Sequence, residues 1–201
     1  MKVMARMRLT GLGVVVAVVC FASTAAAQAP VTQPAPRAPD FRVEIWGDAV
    51  ADFSARMTTY AALRARLAQG LPVLAVTDNP VEILKAETAL AERIRQARAG
   101  ARRGAIFSRD IRAAFKRAMA GQLNEGICES IRDDNPGEFS YRINGTYPKQ
   151  EPLSTMPPSI LAALPRLPDD VMYRFLDRNL VLHDTRANII LDEIHEAIKC
   201  K

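Results

Sequence analysis

Residues 171–198 read VMYRFLDRNLVLHDTRANIILDEIHEAI, and this stretch separates an all-helical chain from a mixed one. Val171 to Phe175 and Leu180 to Leu182 carry the β-branched and aromatic residues of two strands, joined by Leu176-Asp177-Arg178-Asn179. Thr185 is placed to cap a helix running through Ile198, with Ile189, Ile190, Ile194 and Ile198 on its apolar side. ANIIL taken alone reads equally well as a strand.

Working outward, the preceding chain is helical. Val50, Phe53, Met57, Tyr60, Leu63 and Leu67 recur every three or four positions and predict a helix over Asp48 to Gln69, ended by Gly70 and Pro72. LPVLAV (71–76) is extended or irregular. Thr77 or Asp78 then caps a second helix, with Pro80 in its first turn, where a missing N–H costs nothing. It runs to about Ala99 with Ile83, Leu84, Leu90, Ile94 and Ala97 inward. Glu82 with Lys85 and Glu92 with Arg95 are spaced to pair on its outer side. Ser108 caps a third helix through Met119, and a shorter one spans Leu123 to Arg132. Asp133-Asp134-Asn135-Pro136-Gly137 is a turn. FSYRI (139–143) followed by Asn144-Gly145 and Thr146-Tyr147 predicts a hairpin. Pro157-Pro158 introduces a short helix, Ser159 to Leu164.

The expected fold is therefore mainly α, of the α+β class. An N-terminal helical hairpin and further helices precede a small C-terminal antiparallel β element and a terminal helix. The domain reading is 1–27 signal peptide, 28–39 proline-rich disordered linker, 40–134 helical portion, and 135–201 α+β portion sharing the same core.

The signal peptide rests on Lys2, Arg6 and Arg8 before an apolar run from Leu9 to Ala22, with Ala25-Ala26-Ala27 as the small-residue cleavage site. An apolar run of that length is too short to span a bilayer of about 30 Å as a helix. Residues 28–39 (QAPVTQPAPRAP) contain four prolines and read as a tether. The whole chain has 27 basic and 22 acidic residues; removal of the leader leaves 24 against 22, a net charge of +2. General polyanion binding is then not implied by composition. Cys20 leaves with the leader, so Cys128 and Cys200 remain, and in an oxidising compartment they suggest one disulfide. No C-x-x-C is present.

LPVLAVTDNPVEILKAETALAERIRQARAGARRGAIF from Leu71, DDNPG, YPKQEPLSTMPPSILAALPRLP and LPRLPDDVMYRFLDRNLVLHDTRANIILDEI together cover most of the chain beyond the leader. They resemble a family of uncharacterised secreted bacterial proteins with a closing YRF…LVL.D…ANIILD-type segment. The resemblance implies an envelope or extracellular address and carries over no catalytic residue. Asp177 stands where those proteins often have glycine in a V-G-R-type turn.

Several constellations are candidates for chemistry. His183-Asp184 is a candidate acid–base pair, with Ser140, Ser154 and Thr185 as nearby hydroxyls, but no G-x-S-x-G or S-x-x-K accompanies it. Asp192, His195 and Glu196, at i, i+3 and i+4 of the expected terminal helix, are candidate metal ligands. From Arg93 to Arg117 nine basic residues face one acid, Asp110. Within this run Arg102, Arg103, Arg109, Arg112 and Lys116 are candidates for a polyanion or partner-binding surface. No stacking aromatics interleave with them, so nucleic acid is not an expected partner. Tyr141 and Tyr147 are candidates for a binding groove. Residues 40–121 carry 14 basic and 9 acidic residues and 122–201 carry 9 and 13, which favours docking between the halves or self-association.

No cofactor motif is present, and none is expected. The functional expectation is a non-enzymatic binding or envelope-associated module in the periplasm or secreted, acting on another envelope protein or an anionic envelope component. The alternative is a small periplasmic hydrolase using His183 and Asp184.

Overall fold

The computed structural model describes residues 41–71, 79–135, 137, 140–148 and 151–200. The expected leader and proline-rich tether, the expected Thr77 or Asp78 cap and most of LPVLAV lie outside the described residues. Five helices precede three strands: α1 Phe41–Ala68, α2 Pro80–Ala97, α3 Arg109–Ala120, α4 Glu125–Asp133, α5 Pro158–Ala163, then β1 Val171–Leu176, β2 Asn179–Asp184 and β3 Ile189–Ile194.

Side-chain oxygens set three of the helix starts. Asn79, Ser108 and Asn124 each accept a backbone N–H from the first turn that follows, at Val81, Ile111 and Ile127. The α2 cap is therefore Asn79, with Pro80 the first helical residue. Arg93 on α2 donates to the carbonyls of Leu67 and Gln69, while Arg98 lies over the Tyr60 ring. Rising numbers on α2 thus meet falling numbers on α1, and the pair is antiparallel as expected. This register carries the first turns of α2 past the end of α1. Ile83 and Leu84 are consequently exposed rather than inward, as is Ala97. Arg95, expected to pair with Glu92, instead reaches the Asn144 carbonyl and the Thr146 hydroxyl.

The strands form one antiparallel sheet in the order β1-β2-β3. Asp177-Arg178 makes the tight turn between β1 and β2, with Asp177 at φ 52°. The stretch after Asp184 is a strand, not the expected terminal helix. Asp184 Oδ1 accepts the N–H groups of Arg186 and Ala187, which fixes a turn, and Asn188 follows at φ 49°. Every residue of β3 is buried, Asp192 and Glu193 included, so neither face is marked by exposed polar residues and its periodicity does not distinguish strand from helix. Leu191 is an extra residue between the partners of Leu182 and His183, a bulge in β3.

The expected hairpin at Asn144-Gly145 is also absent among the described residues. A turn from Arg142 to Gly145 closes with Asn144 at φ 62°, and the chain then pairs with β3 instead. Thr146 bridges Ile189, and Asn144 N–H donates to the Ile190 carbonyl. This covers the outer edge of β3.

One sheet face packs on the helices. Phe53, Phe107, Phe115 and Tyr173 form an aromatic cluster, with ring centroids 5.0 Å apart for Phe53 and Phe115, surrounded by Met57, Ile94, Ile111, Leu182 and Leu191. The helical and α+β portions thus share a core. The opposite face carries a smaller cluster of Tyr147, Leu176, Val181 and Ile190. Cys128 on α4 and Cys200 are joined by a disulfide with Cα atoms 5.5 Å apart.

Candidate functional site

Adjacent residues of a strand point to opposite faces, and this separates His183 from Asp184. Asp184 faces α1. Its Oδ2 accepts the Tyr60 hydroxyl at 2.5 Å and lies 3.5 Å from Arg64, and its Oδ1 holds the following turn. His183, 3% exposed, lies on the other face against the Tyr147 ring. Its Nδ1 accepts from Arg174 Nε at 3.0 Å, which puts the proton on Nε2, 2.9 Å from Asn188 Oδ1. Burial pushes the imidazole below its usual pKa. Both ring nitrogens are occupied and Asp184 is not among their partners, so the expected base and orienter do not form a pair. Of the three nearby hydroxyls, those of Ser154 and Thr185 are occupied, donating to the Phe175 carbonyl at 2.7 Å and the Asp170 carbonyl at 3.1 Å.

The expected metal ligands are likewise not brought together. Asp192 is fully buried on β3 and accepts backbone N–H groups from Gly104, Ile106, Phe107 and Glu193 at 2.7–2.8 Å. It is an anchor for the loop between α2 and α3. His195 and Glu196 follow the strand and are exposed, with Glu196 near Arg178. Among the described residues no three His, Cys, Asp or Glu side chains are grouped as metal ligands.

The arginine run divides. Arg93, Arg95 and Arg98 tie α2 to carbonyls and side chains elsewhere, and burial pushes the Arg98 guanidinium below its usual pKa. Arg103 pairs with Glu193, which also accepts the Tyr141 hydroxyl. Arg102, Arg109, Arg112 and Lys116 make no ion pair among the described residues; Arg102 and Arg109 are exposed and Arg112 and Lys116 half-buried. Of the two groove tyrosines, Tyr147 is core, its hydroxyl donating to the Pro152 carbonyl. Tyr141 borders an open cavity with Arg103, Glu193 and His195. Burial, first, and then the bond to Glu193 raise its hydroxyl pKa.

An apolar-walled cavity that the sequence did not reveal opens elsewhere among the described residues. It has a volume of about 740 Å³ and lies between α5 and the outer side of β1. Met156, Leu161, Leu164, Leu167 and Met172 supply its walls, and Leu161 and Met172 are each 50% exposed. The elements explain the opening. β1 is an edge strand whose far end is covered by Ser154, bonded to the Phe175 carbonyl, and by Asn135, bonded to both polar backbone groups of Asp177. Val171 to Arg174 are left beside the groove.

Arg174 reaches the groove from β1 and is 8% exposed. Besides His183, it donates to the Ser154 carbonyl at 2.9 Å and to the Met172 sulfur at 3.5 Å. Burial lowers the pKa of its guanidinium, and among the described residues it makes no ion pair with a carboxylate. In the sequence, Arg174 reads as an ordinary polar residue of an alternating strand. Its burial follows from the 154–167 segment folding over that face. The one available signal was LPRLPDDVM flanked by SILAAL: more apolar residues than a single-turn helix and one strand face can hide.

Comparison with known protein families, with curated proteins and with solved structures finds no match for this chain.

Proposed function

We propose that this chain is an exported, non-enzymatic binding module whose ligand site is the groove between α5 and β1. The observation that carries the reading is the cavity itself: about 740 Å³, apolar-walled, with two large hydrophobic side chains half in solvent at its mouth. Small-molecule sites typically occupy about 300–1,000 Å³ with apolar linings and few polar groups. The buried His183, Asp184 and Asp192 side chains are occupied by neighbours and support the architecture rather than a reaction. Export is supported by the leader-like residues 1–27 and by the Cys128–Cys200 disulfide, a bond that persists in oxidising compartments. No helix among the described residues is long and apolar enough to cross a membrane.

The test uses N-phenyl-1-naphthylamine, a neutral probe that brightens in apolar surroundings. Its fluorescence rises on titration with the folded protein. Glutamate at the exposed positions Leu161 and Met172 weakens its binding at least tenfold. No enhancement by the native protein, or unchanged binding to the double variant, refutes the site.

A second reading comes from the basic surface of α3 and the loop before it. Arg102, Arg109, Arg112 and Lys116 have no acidic partners among the described residues, which suits an anionic envelope component. Cosedimentation with phosphatidylglycerol vesicles that falls on raising salt and on Arg109→Ala/Lys116→Ala supports it; salt-independent or absent binding removes it.

A further inference from the structure

We infer that the groove takes an unbranched apolar carboxylate, a fatty-acid-like chain, whose headgroup is received by Arg174. This rests on the reading of the groove as the ligand site and adds the ligand's chemistry.

Charge complementarity carries the argument. Arg174 is a cation held at 8% exposure with no carboxylate paired to it among the described residues. A buried charge is costly unless it is paired, and its three partners here, the His183 ring, the Ser154 carbonyl and the Met172 sulfur, are all neutral. A guanidinium has five N–H donors, so one N–H on each terminal nitrogen has no acceptor among the described residues. Two such donors match the two oxygens of a single carboxylate. Bonds to His183 and to the Ser154 carbonyl hold the guanidinium in place, so the headgroup meets a donor that is already oriented.

The rest of the lining limits the ligand further. It includes a second cation, Arg166, and no Asp or Glu among the described residues, which disfavours a cationic ligand. The one aromatic ring among the described lining residues, Tyr173, is buried against Phe53 and Phe115 and donates its hydroxyl to the Pro165 carbonyl, so it offers little stacking face to a planar ring and no free donor to a sugar. Apolar walls with one cationic end fit a hydrocarbon chain with one anionic end.

The experiment measures displacement of N-phenyl-1-naphthylamine by dodecanoate, dodecanol and dodecyltrimethylammonium, all below their micellar concentrations. Dodecanoate is expected to displace at concentrations about tenfold to a hundredfold below dodecanol, the range of a charge-assisted hydrogen-bonded pair. The ammonium is expected to be weakest. In Arg174→Gln the ratio of dodecanoate to dodecanol affinities collapses to within about threefold of unity. Should that variant not fold, Leu161→Glu compared with Leu161→Gln, both at an exposed position, gives the same answer. The added negative charge then weakens dodecanoate more than dodecanol. Equal displacement by dodecanoate and dodecanol, with the probe still bound, overturns the carboxylate inference and leaves the groove reading standing. Failure of the probe to bind overturns both. A peptide with an apolar free C-terminus that binds more tightly than dodecanoate overturns the fatty-chain assignment in favour of a protein partner's carboxylate.

Discussion

Asp192→Asn changes one oxygen for one amide group in a fully buried side chain, and its consequence is calculable from four hydrogen bonds. Oδ1 accepts from Gly104 and Glu193, and Oδ2 from Ile106 and Phe107. An asparagine keeps one acceptor oxygen and presents an NH2 where the other stood. Whichever way the amide turns, two backbone N–H groups face a donor. Each buried donor left unsatisfied costs about 1–3 kcal/mol, and the two surviving bonds lose their charge assistance. The expected loss is about 3–5 kcal/mol, without any change in side-chain volume. The consequence is largest when the NH2 takes the place of Oδ2, because Phe107 is then one of the orphaned pair and its ring is part of the central aromatic cluster. Urea unfolding followed by far-ultraviolet circular dichroism gives the difference, and hydrogen exchange at Ile106 and Phe107 locates it. A loss below about 1 kcal/mol refutes the anchoring role, because a typical neutral hydrogen bond alone accounts for that much. Addition of zinc to the wild type leaves its unfolding midpoint unchanged; a rise would return Asp192 to the metal ligands.

Cys128→Ser/Cys200→Ser opens a covalent loop with a sequence separation of 72 residues, for which chain entropy gives about 4 kcal/mol. Reduction of the wild type should produce the same drop in the unfolding free energy as the double variant, and unequal drops would contradict it. His183 is held neutral by burial, so its pKa is below the ordinary value of about 6.5 and the unfolded chain takes up a proton first on acidification. Its stabilisation is complete above about pH 6.5 and is lost as pH falls below it, with a slope up to about 1.4 kcal/mol per pH unit. His183→Gln flattens that slope in urea titrations between about pH 7.5 and 5, and identical slopes would remove the assignment. Asp177→Gly relieves a non-glycine residue at φ 52° and should stabilise by about 1 kcal/mol, read as a rise of roughly 2–4 °C in Tm.

The helices were legible because their signals are local: an apolar residue every three or four positions, Ser108 at a cap, Pro80 in a first turn. The β1–β2 hairpin was legible for the same reason. β3 was not, because Ile189 to Ile194 is buried on both faces and the cue that separates strand from helix, one polar face, is missing. The Asn144-Gly145 turn formed, but its second arm found β3 rather than the residues before it, a choice made by long-range pairing. The disulfide followed from counting cysteines. The candidate site was largely illegible. Histidine next to aspartate suggests a catalytic pair until both are placed on a strand, where neighbours diverge. Asp192 with His195 and Glu196 required a helix that does not exist. Arg174 became conspicuous only through what surrounds it: a groove wall from α5, a ring from the adjacent strand, and no acid paired to it among the described residues.

The most direct test of the groove as a ligand site is a carbon–proton correlation spectrum of methyl-labelled, disulfide-intact protein titrated with dodecanoate, with the Arg174 Nε–H followed in parallel. The expected result is saturable shifts at the Leu161 and Met172 methyls together with a downfield move of the Arg174 Nε–H, while the α3 surface stays still. Shifts at α3 alone, or no shift at Leu161 and Met172 at millimolar dodecanoate, would contradict it.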